Sequence, residues 1–272
     1  MLRFFADTDC DITLDIVKKY GCDLISFPYE LKGELVYPYE DFEVFDDKTY
    51  YDILRGGVIP STSALNEAEF TKYFEPALAA GDDIFYAHYS RSLSASFNNM
   101  DKAIAELLKK YPERKIYTVD TKTMTIGALG VILELLELWK QGATGEELVK
   151  ATNEIAPHYA TYFFADDLKF FRKSGRVSGL AGIMGNLIGI KPIIYLSAEG
   201  TMNNIGKVKG TKNALKAIAD YFDQLKAPDF KKHRIIIATG GAPELAEKMV
   251  SMLKEKYGDD LNILVGPVNP TA

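Results

Sequence analysis

Cysteine, histidine and tryptophan are scarce, with two, three and one residues in a chain of 272. Cys10 and Cys22 lie twelve positions apart with no CxxC, and His88, His158 and His233 are scattered, so neither a disulfide framework nor a zinc-ligand spacing can be assembled. A positive surplus is also missing. The 32 basic side chains against 38 acidic ones leave a formal net charge of −6, and the basic stretches at Lys109–Lys110, Lys207–Lys212 and Lys231–Arg234 are short enough to be solvated faces. No nucleic-acid partner is expected. The most apolar stretch, Ile126–Trp139, is broken by Glu134 and Glu137, well short of a membrane span. The opening MLRFFADTDCD turns acidic by Asp7 and lacks the layout of a secretory signal. These absences lead us to expect a cytoplasmic monomer with at most transient membrane contact.

With 47% hydrophobic residues, the chain has room for about two domains, each with its own core, taking roughly 150 residues per domain. Short apolar runs at Leu2–Ala6, Asp83–His88 and Lys115–Val119 alternate with helical patterns at Leu14–Tyr20, Glu67–Ala80, Phe97–Lys110 and Ile126–Gln141, the last closed by Gly142. That rhythm predicts an α/β fold whose N-terminal domain, residues 1–157, is built on a Rossmann-like parallel sheet. Asp23–Leu31 and Leu35–Tyr37 read as a hairpin inserted after the first helix. Residues 158–272 change rhythm. Ile190–Leu196 and Met202–Val208 flank a turn at Ala198–Gly200, predicting an antiparallel hairpin, followed by a helix at Lys212–Gln224, a strand at His233–Ala238, a helix at Pro243–Lys256 and a strand at Asn262–Val265. The second domain is therefore α/β with antiparallel strands. The changeover follows a helix opened by Thr144 and Glu147 at capping-box spacing.

Three polar loops each follow a strand-like run and precede a helix: Asp7–Asp11, Ser61–Ala64 and Ser90–Ser96. Ligands of open parallel sheets bind at the carboxyl ends of the strands, where helix N-termini offer free N–H groups and hydroxyls add uncharged donors suited to a carboxylate or phosphate. The same residue types also serve as plain helix caps. Gly179, Gly182, Gly185 and Gly189 are spaced three, three and four, so a helix there would present one smooth face, to another helix or to an apolar ligand chain. An enzyme reading competes. Phe4–Asp7 followed by Asp9, and Phe163–Asp167, are apolar strands ending in DxD and DD, the layout of a Mg²⁺-dependent haloacid-dehalogenase-type phosphohydrolase with Asp7 as nucleophile and Asp9 as acid/base. Asp11 occupies the place where that chemistry prefers threonine or valine. An EF-hand is excluded by Ile12 and Lys18 at its sixth and twelfth positions, and a serine hydrolase rests on the pairing of His88 with Ser90 alone.

Several strings in order resemble the DegV family, the fatty-acid-binding proteins that include the acyl-carrier subunits of bacterial fatty acid kinase. They are Ala6–Ile12 for its TDSTCDLP-like start, Pro60–Ser63 for its TSQPS-like segment, Ser90–Ser96 for its SSxLSGT-like loop, Asp167–Ser178 for DLxxLxxxGRIS, and Gly185–Ile194 for lGxxLxIKPIl. The resemblance implies a non-enzymatic carrier that buries a long-chain, palmitate-like fatty acid in an apolar tunnel and needs no cofactor or metal. The family's carboxylate-holding threonine and serine fall on Thr62 and Ser94, with Ser63, Ser92 and Arg176 as further ligand-binding candidates. Lys207 and Lys209 stand where kinase carriers tend to have a partner-engaging arginine, implying a fatty acid kinase catalytic subunit as partner. The TSQPS-like segment runs Thr62–Ser63–Ala64–Leu65–Asn66 and lacks the family's glutamine and proline, and two further departures are visible. The loop has Ala95–Ser96 in place of the family's glycine and threonine, and the family's histidine-containing GPG segment is expected where the chain ends in Gly266–Ala272, so we expect a truncated segment or a missing pocket wall.

Overall fold

Strand β1 (Leu2–Asp7) pairs in parallel with β2 (Asp23–Ile25) on one side and β6 (Asp83–His88) on the other, and β6 pairs in parallel with β7 (Ile116–Asp120). The sheet order is β2-β1-β6-β7 in a computed structural model that describes residues 1–178 and 189–271. The glycine face expected around Gly179, Gly182 and Gly185 lies outside the described residues. The central strands are apolar on both faces: Phe4, Ala6, Ile84, Phe85, Tyr86 and Ala87 are fully buried, as helix-covered parallel strands require.

The helices form where the sequence supplies both an apolar stripe and caps. Helix α1 (Leu14–Tyr20) starts at Thr13, whose side chain accepts from the Ile16 amide, and ends at Gly21 in the left-handed region. Helices α3 (Glu67–Ala79) and α6 (Gly145–Ile155) each open on a capping box, Asn66 with Glu69 and Thr144 with Glu147. Helix α4 (Ser96–Lys110) packs beside α3. Helix α5 (Thr125–Lys140) is buried almost all round because it touches β1 on one side and β12 (Ile235–Thr239) on the other. Among the described residues no helix is long and apolar enough to cross a membrane.

The expected hairpin after α1 is present over Tyr29–Leu31 and Glu34–Val36, and its first strand is corrected at the N-terminal end. Asp23–Leu31 is two strands in two sheets: β2 closes the edge of the parallel sheet, while β3 (Tyr29–Leu31) pairs antiparallel with β4 (Glu34–Val36) and with β5 (Ser61–Thr62). Pro28 lies between them and has no N–H to continue a ladder. Helix α2 (Asp47–Arg55), not expected from the sequence, packs Tyr50 and Leu54 under this small sheet.

The remaining strands form two groups. β10 (Ile190–Leu196) and β11 (Met202–Lys209) make the expected antiparallel hairpin, flanked by β8 (Tyr162–Phe164) on β10 and a short β9 (Val177–Ser178) parallel to β11. β12 pairs in parallel with β13 (Ile263–Pro267), with α7 (Thr211–Leu225) and α8 (Pro243–Tyr257) sharing one apolar cluster through Leu215, Met249 and Leu253.

Candidate functional site

In the order β2-β1-β6-β7 the chain leaves β1 toward one edge and β6 toward the other, so the loops after β1 and β6 diverge at the carboxyl ends of those strands, the place where open α/β sheets bind ligands. Both loops are polar: Asp7–Asp11 and Ser90–Ser94. The loop after β7 joins them, since the Ser90 amide donates to the Thr123 carbonyl at 2.7 Å. Three non-glycine residues here, Asp11, Lys122 and Thr125, hold φ near +50°, a conformation that costs about 1–3 kcal/mol each and persists only where surrounding contacts enforce it.

The sequence-predicted serines and threonines meet here in part. Ser94 Oγ donates to Ser96 Oγ at 3.0 Å; Ser96 Oγ also accepts from the Leu65 amide at 3.1 Å, and Asn99 Nδ2 donates to the Leu65 carbonyl at 2.8 Å. Ser94 is thereby tied to the segment that carries Thr62 and Ser63, which are exposed after β3 pairs with β5 through Tyr29 and Thr62. Arg176 Nε donates to the Leu93 carbonyl at 2.8 Å, bringing a guanidinium to the same loop. Ser92 points the other way, its Oγ donating to the Glu199 carbonyl at 2.8 Å in the β10–β11 turn. Lys207 and Lys209 are exposed on β11 opposite Pro192 and Ile190, outside this cluster of loop contacts.

The Asp7–Asp11 loop stands out in the sequence, but the partners that its carboxyls meet in the fold do not. Asp7 is fully buried and well served: Oδ1 accepts from Cys10 Sγ at 3.2 Å, and Oδ2 accepts from the Tyr86 hydroxyl at 2.9 Å and the Tyr89 amide at 3.3 Å. Asp11 Oδ1 accepts from the Asn269 amide at 2.8 Å, while Asp11 Oδ2 and Asp9 Oδ1 are buried without a hydrogen-bond partner among the described residues. Burial raises the pKa of all three carboxyls, and the neighbouring Asp7 charge raises Asp9 further. Residues 268–271 cap the loop, with Asn269 Nδ2 donating to the Thr8 carbonyl at 2.9 Å and Tyr50 and Tyr51 of α2 donating to the Pro270 and Val268 carbonyls. The DxDxD spacing was the available signal; partners some 80 and 260 residues away were not.

These carboxyls do not make the enzyme site considered above. Asp7 is sealed from solvent with both oxygens engaged, and Asp166 and Asp167 are exposed, ion-paired to Lys191 and Lys169. Among the described residues no three His, Cys, Asp or Glu side chains are grouped to hold a metal ion. His88 is structural: its Nδ1–H donates to the Tyr89 carbonyl at 2.6 Å, its ring stacks on Phe97 at 4.2 Å, and burial lowers its pKa to about 4.

A stability profile follows from the raised carboxyls. Each binds its proton more tightly folded than unfolded, so between the ordinary carboxylate value of about 4 and the higher folded values the folded chain carries more protons. Their contribution to stability is greatest below that window and falls as pH rises through it. We expect the Tm to be higher at about pH 5 than at about pH 8, with Asp9→Asn narrowing the difference. A wild-type Tm that climbs over that interval, or an Asp9→Asn profile as steep as wild type, would contradict this.

Comparison with known proteins agrees with the architecture. The family model described as "Uncharacterised protein, DegV family" matches residues 2–272. A DegV domain-containing protein of Clostridium perfringens is 30% identical over 253 residues, covering 93% of this chain and 86% of the relative. A DegV family protein of Thermus thermophilus, described by its fatty acid binding, superposes with a TM-score of 0.81 at 21% identity over 99% of this chain and 93% of that one. The Streptococcus pneumoniae Fatty Acid Kinase (Fak) B3 protein loaded with linoleic acid gives 0.80 at 19% identity, over 98% and 92%. A DegV family protein of Eubacterium eligens loaded with heptadecanoic acid gives 0.80 at 22% identity, over 98% and 93%. With the family model spanning nearly every residue and the same fold throughout, this chain belongs to the DegV family.

Proposed function

We propose that this protein is a carrier rather than an enzyme: it binds a long-chain fatty acid, with Thr62 and Ser94 holding the carboxylate at the carboxyl ends of β1 and β6. The observation that carries the reading is the tie between the Ser94 loop and the Thr62 segment through Ser96, which collects uncharged donors at the carboxyl end of the sheet. Neutral hydroxyls and amides suit a carboxylate there because they satisfy it without burying a counter-ion pair. Fatty acids in three similarly folded relatives support the ligand class. The tail would lie against apolar side chains behind the loops, where Leu65, Phe70, Leu93 and Phe97 are buried. Each buried methylene contributes about 0.8 kcal/mol, so a sixteen-carbon, palmitate-like chain gains on the order of 10 kcal/mol before ordering costs. Affinity then comes from the tail and orientation from the head. Delipidated protein should take up one equivalent of such an acid; a protein that stays empty after loading overturns the reading.

The kinase-subunit relative suggests a fatty acid kinase catalytic subunit as partner, with Lys207 and Lys209 as the exposed cations it would meet. Lys207→Glu with Lys209→Glu should then abolish phosphorylation of the carried acid by the kinase while leaving uptake of the acid unchanged. Loss of uptake in that variant, or full phosphorylation, would remove these lysines from the partner surface.

A further inference from the structure

Among the described residues no hydrogen bond joins Thr62 to Ser94; both are set by Leu65. The Leu65 side chain is fully buried in the same cluster as Phe70, and the two occupy the positions of a hydrophobic staple across the Asn66 cap of α3. Its backbone is gripped by the first turn of α4: the amide donates to Ser96 Oγ at 3.1 Å, and the carbonyl accepts from Asn99 Nδ2 at 2.8 Å. Ser96 is fully buried and Ser94 half-buried. Ser94 Oγ accepts from the Ser96 amide at 3.2 Å and donates to Ser96 Oγ at 3.0 Å. The protons of this cluster outnumber its acceptors. A single contact between two hydroxyl oxygens uses one of their two O–H protons. With Ser94 donating, the Ser96 O–H is left at a fully buried position with no hydrogen-bonded acceptor among the described residues.

We propose that Ser96 is a positioning residue for Ser94, and that the pair selects a head group that only accepts hydrogen bonds, an ionised carboxylate. This rests on the fatty-acid reading above and names the form of the ligand that the site takes. When a carboxylate arrives, Ser94 turns its O–H to the ligand, and Ser96 turns its own O–H to Ser94 Oγ across the same 3.0 Å. The donors then run in one direction: Leu65 N–H to Ser96, Ser96 O–H to Ser94, Ser94 O–H to the ligand. Every proton of the cluster now has an acceptor. Each bond in such a chain polarises the next, and the last one, made to a charged oxygen, is the strongest. Asn99 keeps the Leu65 peptide turned so that its N–H meets Ser96. A buried O–H without an acceptor is costly, so the ligand's acceptor completes the protein as much as the protein completes the ligand. A fatty alcohol or a protonated acid brings one more O–H to a cluster already short of acceptors. A methyl ester brings an uncharged, weaker acceptor.

The test is competitive binding of a long-chain fatty acid and the alcohol and methyl ester of the same length, at about pH 8, to wild type, Ser96→Ala, Ser96→Thr and Asn99→Ala. Thermal unfolding is recorded for each. Wild type is expected to prefer the acid to the alcohol by about tenfold or more. Ser96→Ala should lose most of that preference while its affinity for the ester stays close to wild type. A loop that is merely loosened weakens all three ligands alike and leaves the ratio unchanged. Ser96→Thr keeps the hydroxyl and should restore the preference, and Asn99→Ala should fall between. A wild-type acid-to-alcohol ratio in Ser96→Ala overturns the proposal and leaves the fatty-acid reading standing, as does a ratio lost equally in Ser96→Thr. A second measurement does not depend on the variants folding. The infrared spectrum of carboxyl-labelled fatty acid on wild type should show the ionised carboxylate band, and a protonated carbonyl band overturns the proposal. Failure of wild type to bind any of the three ligands overturns the fatty-acid reading, and the proposal with it.

Discussion

Replacing Thr62 and Ser94 together by alanine should cut fatty acid retention on the order of a hundredfold or more, because each hydroxyl removes a hydrogen bond to a charged group worth about 1.5–3 kcal/mol. The tail is untouched in this variant, so residual binding should follow chain length while losing its preference for a free carboxyl. Ser94 also accepts from the Ser96 amide, and Ser96 in turn holds the Leu65 amide, so part of the effect of Ser94→Ala comes from a looser loop. Thr62 has no such duty in the described contacts beyond its strand pairing with Tyr29, which makes Thr62→Ala the cleaner single variant. We expect about tenfold from it alone, measured by ligand off-rate at equal thermal stability. Unchanged occupancy in the double variant would remove both residues from the site.

The second large effect is expected at Gly200, in the turn between β10 and β11. Its φ is +79°, and a Cβ there would come 2.0 Å from Ser90 Oγ, 2.9 Å from Ser90 Cβ and 3.2 Å from the Lys122 carbonyl oxygen. The turn thus lies flat on two loops of the candidate site, and the Ser92–Glu199 hydrogen bond fastens it there. Gly200→Ala adds left-handed strain of about 1–2 kcal/mol and overpacking of about 1–3 kcal/mol. A chain of this size should lose roughly 5–10 °C of Tm, and ligand off-rates should rise as the 90–94 loop is pushed from its seat. Adding Ser90→Gly should recover the packing part and leave the strain part. Gly200→Ala with wild-type Tm and off-rate would show that the turn is not seated on those loops.

Much of the parallel sheet could be read from local pattern. Asp83–His88 and Leu14–Tyr20 coincide with their expected bounds, and the 190s hairpin and the helices around it differ only at their ends, because apolar period and capping residues act within a few positions. Within Asp23–Leu31 only Tyr29–Leu31 joins the expected hairpin, and the rest departs for the opposite reason. Three-residue strands take their identity from the sheet they join, and Pro28 alone marks the division. Helix α2 was hidden because its buried face is little more than Tyr50 and Leu54, although Asp46 as N-cap and Gly56–Gly57 at the end were available signals. For the site, the hydroxyl loops were legible as helix-start chemistry. Asp7 with Tyr86, Asn269 with Thr8, and Gly200 with Ser90 were not, since each joins residues far apart in the chain whose local contexts are ordinary.

The central claim is that the site recognises a fatty acid by its carboxylate. The most direct measurement is native mass spectrometry of delipidated protein offered equal amounts of a long-chain fatty acid and its methyl ester. The account predicts one equivalent of the acid bound and the ester left in solution. Equal loading of both would contradict it, because the tail alone would then be doing the binding and the hydroxyls at Thr62 and Ser94 would have no part in it.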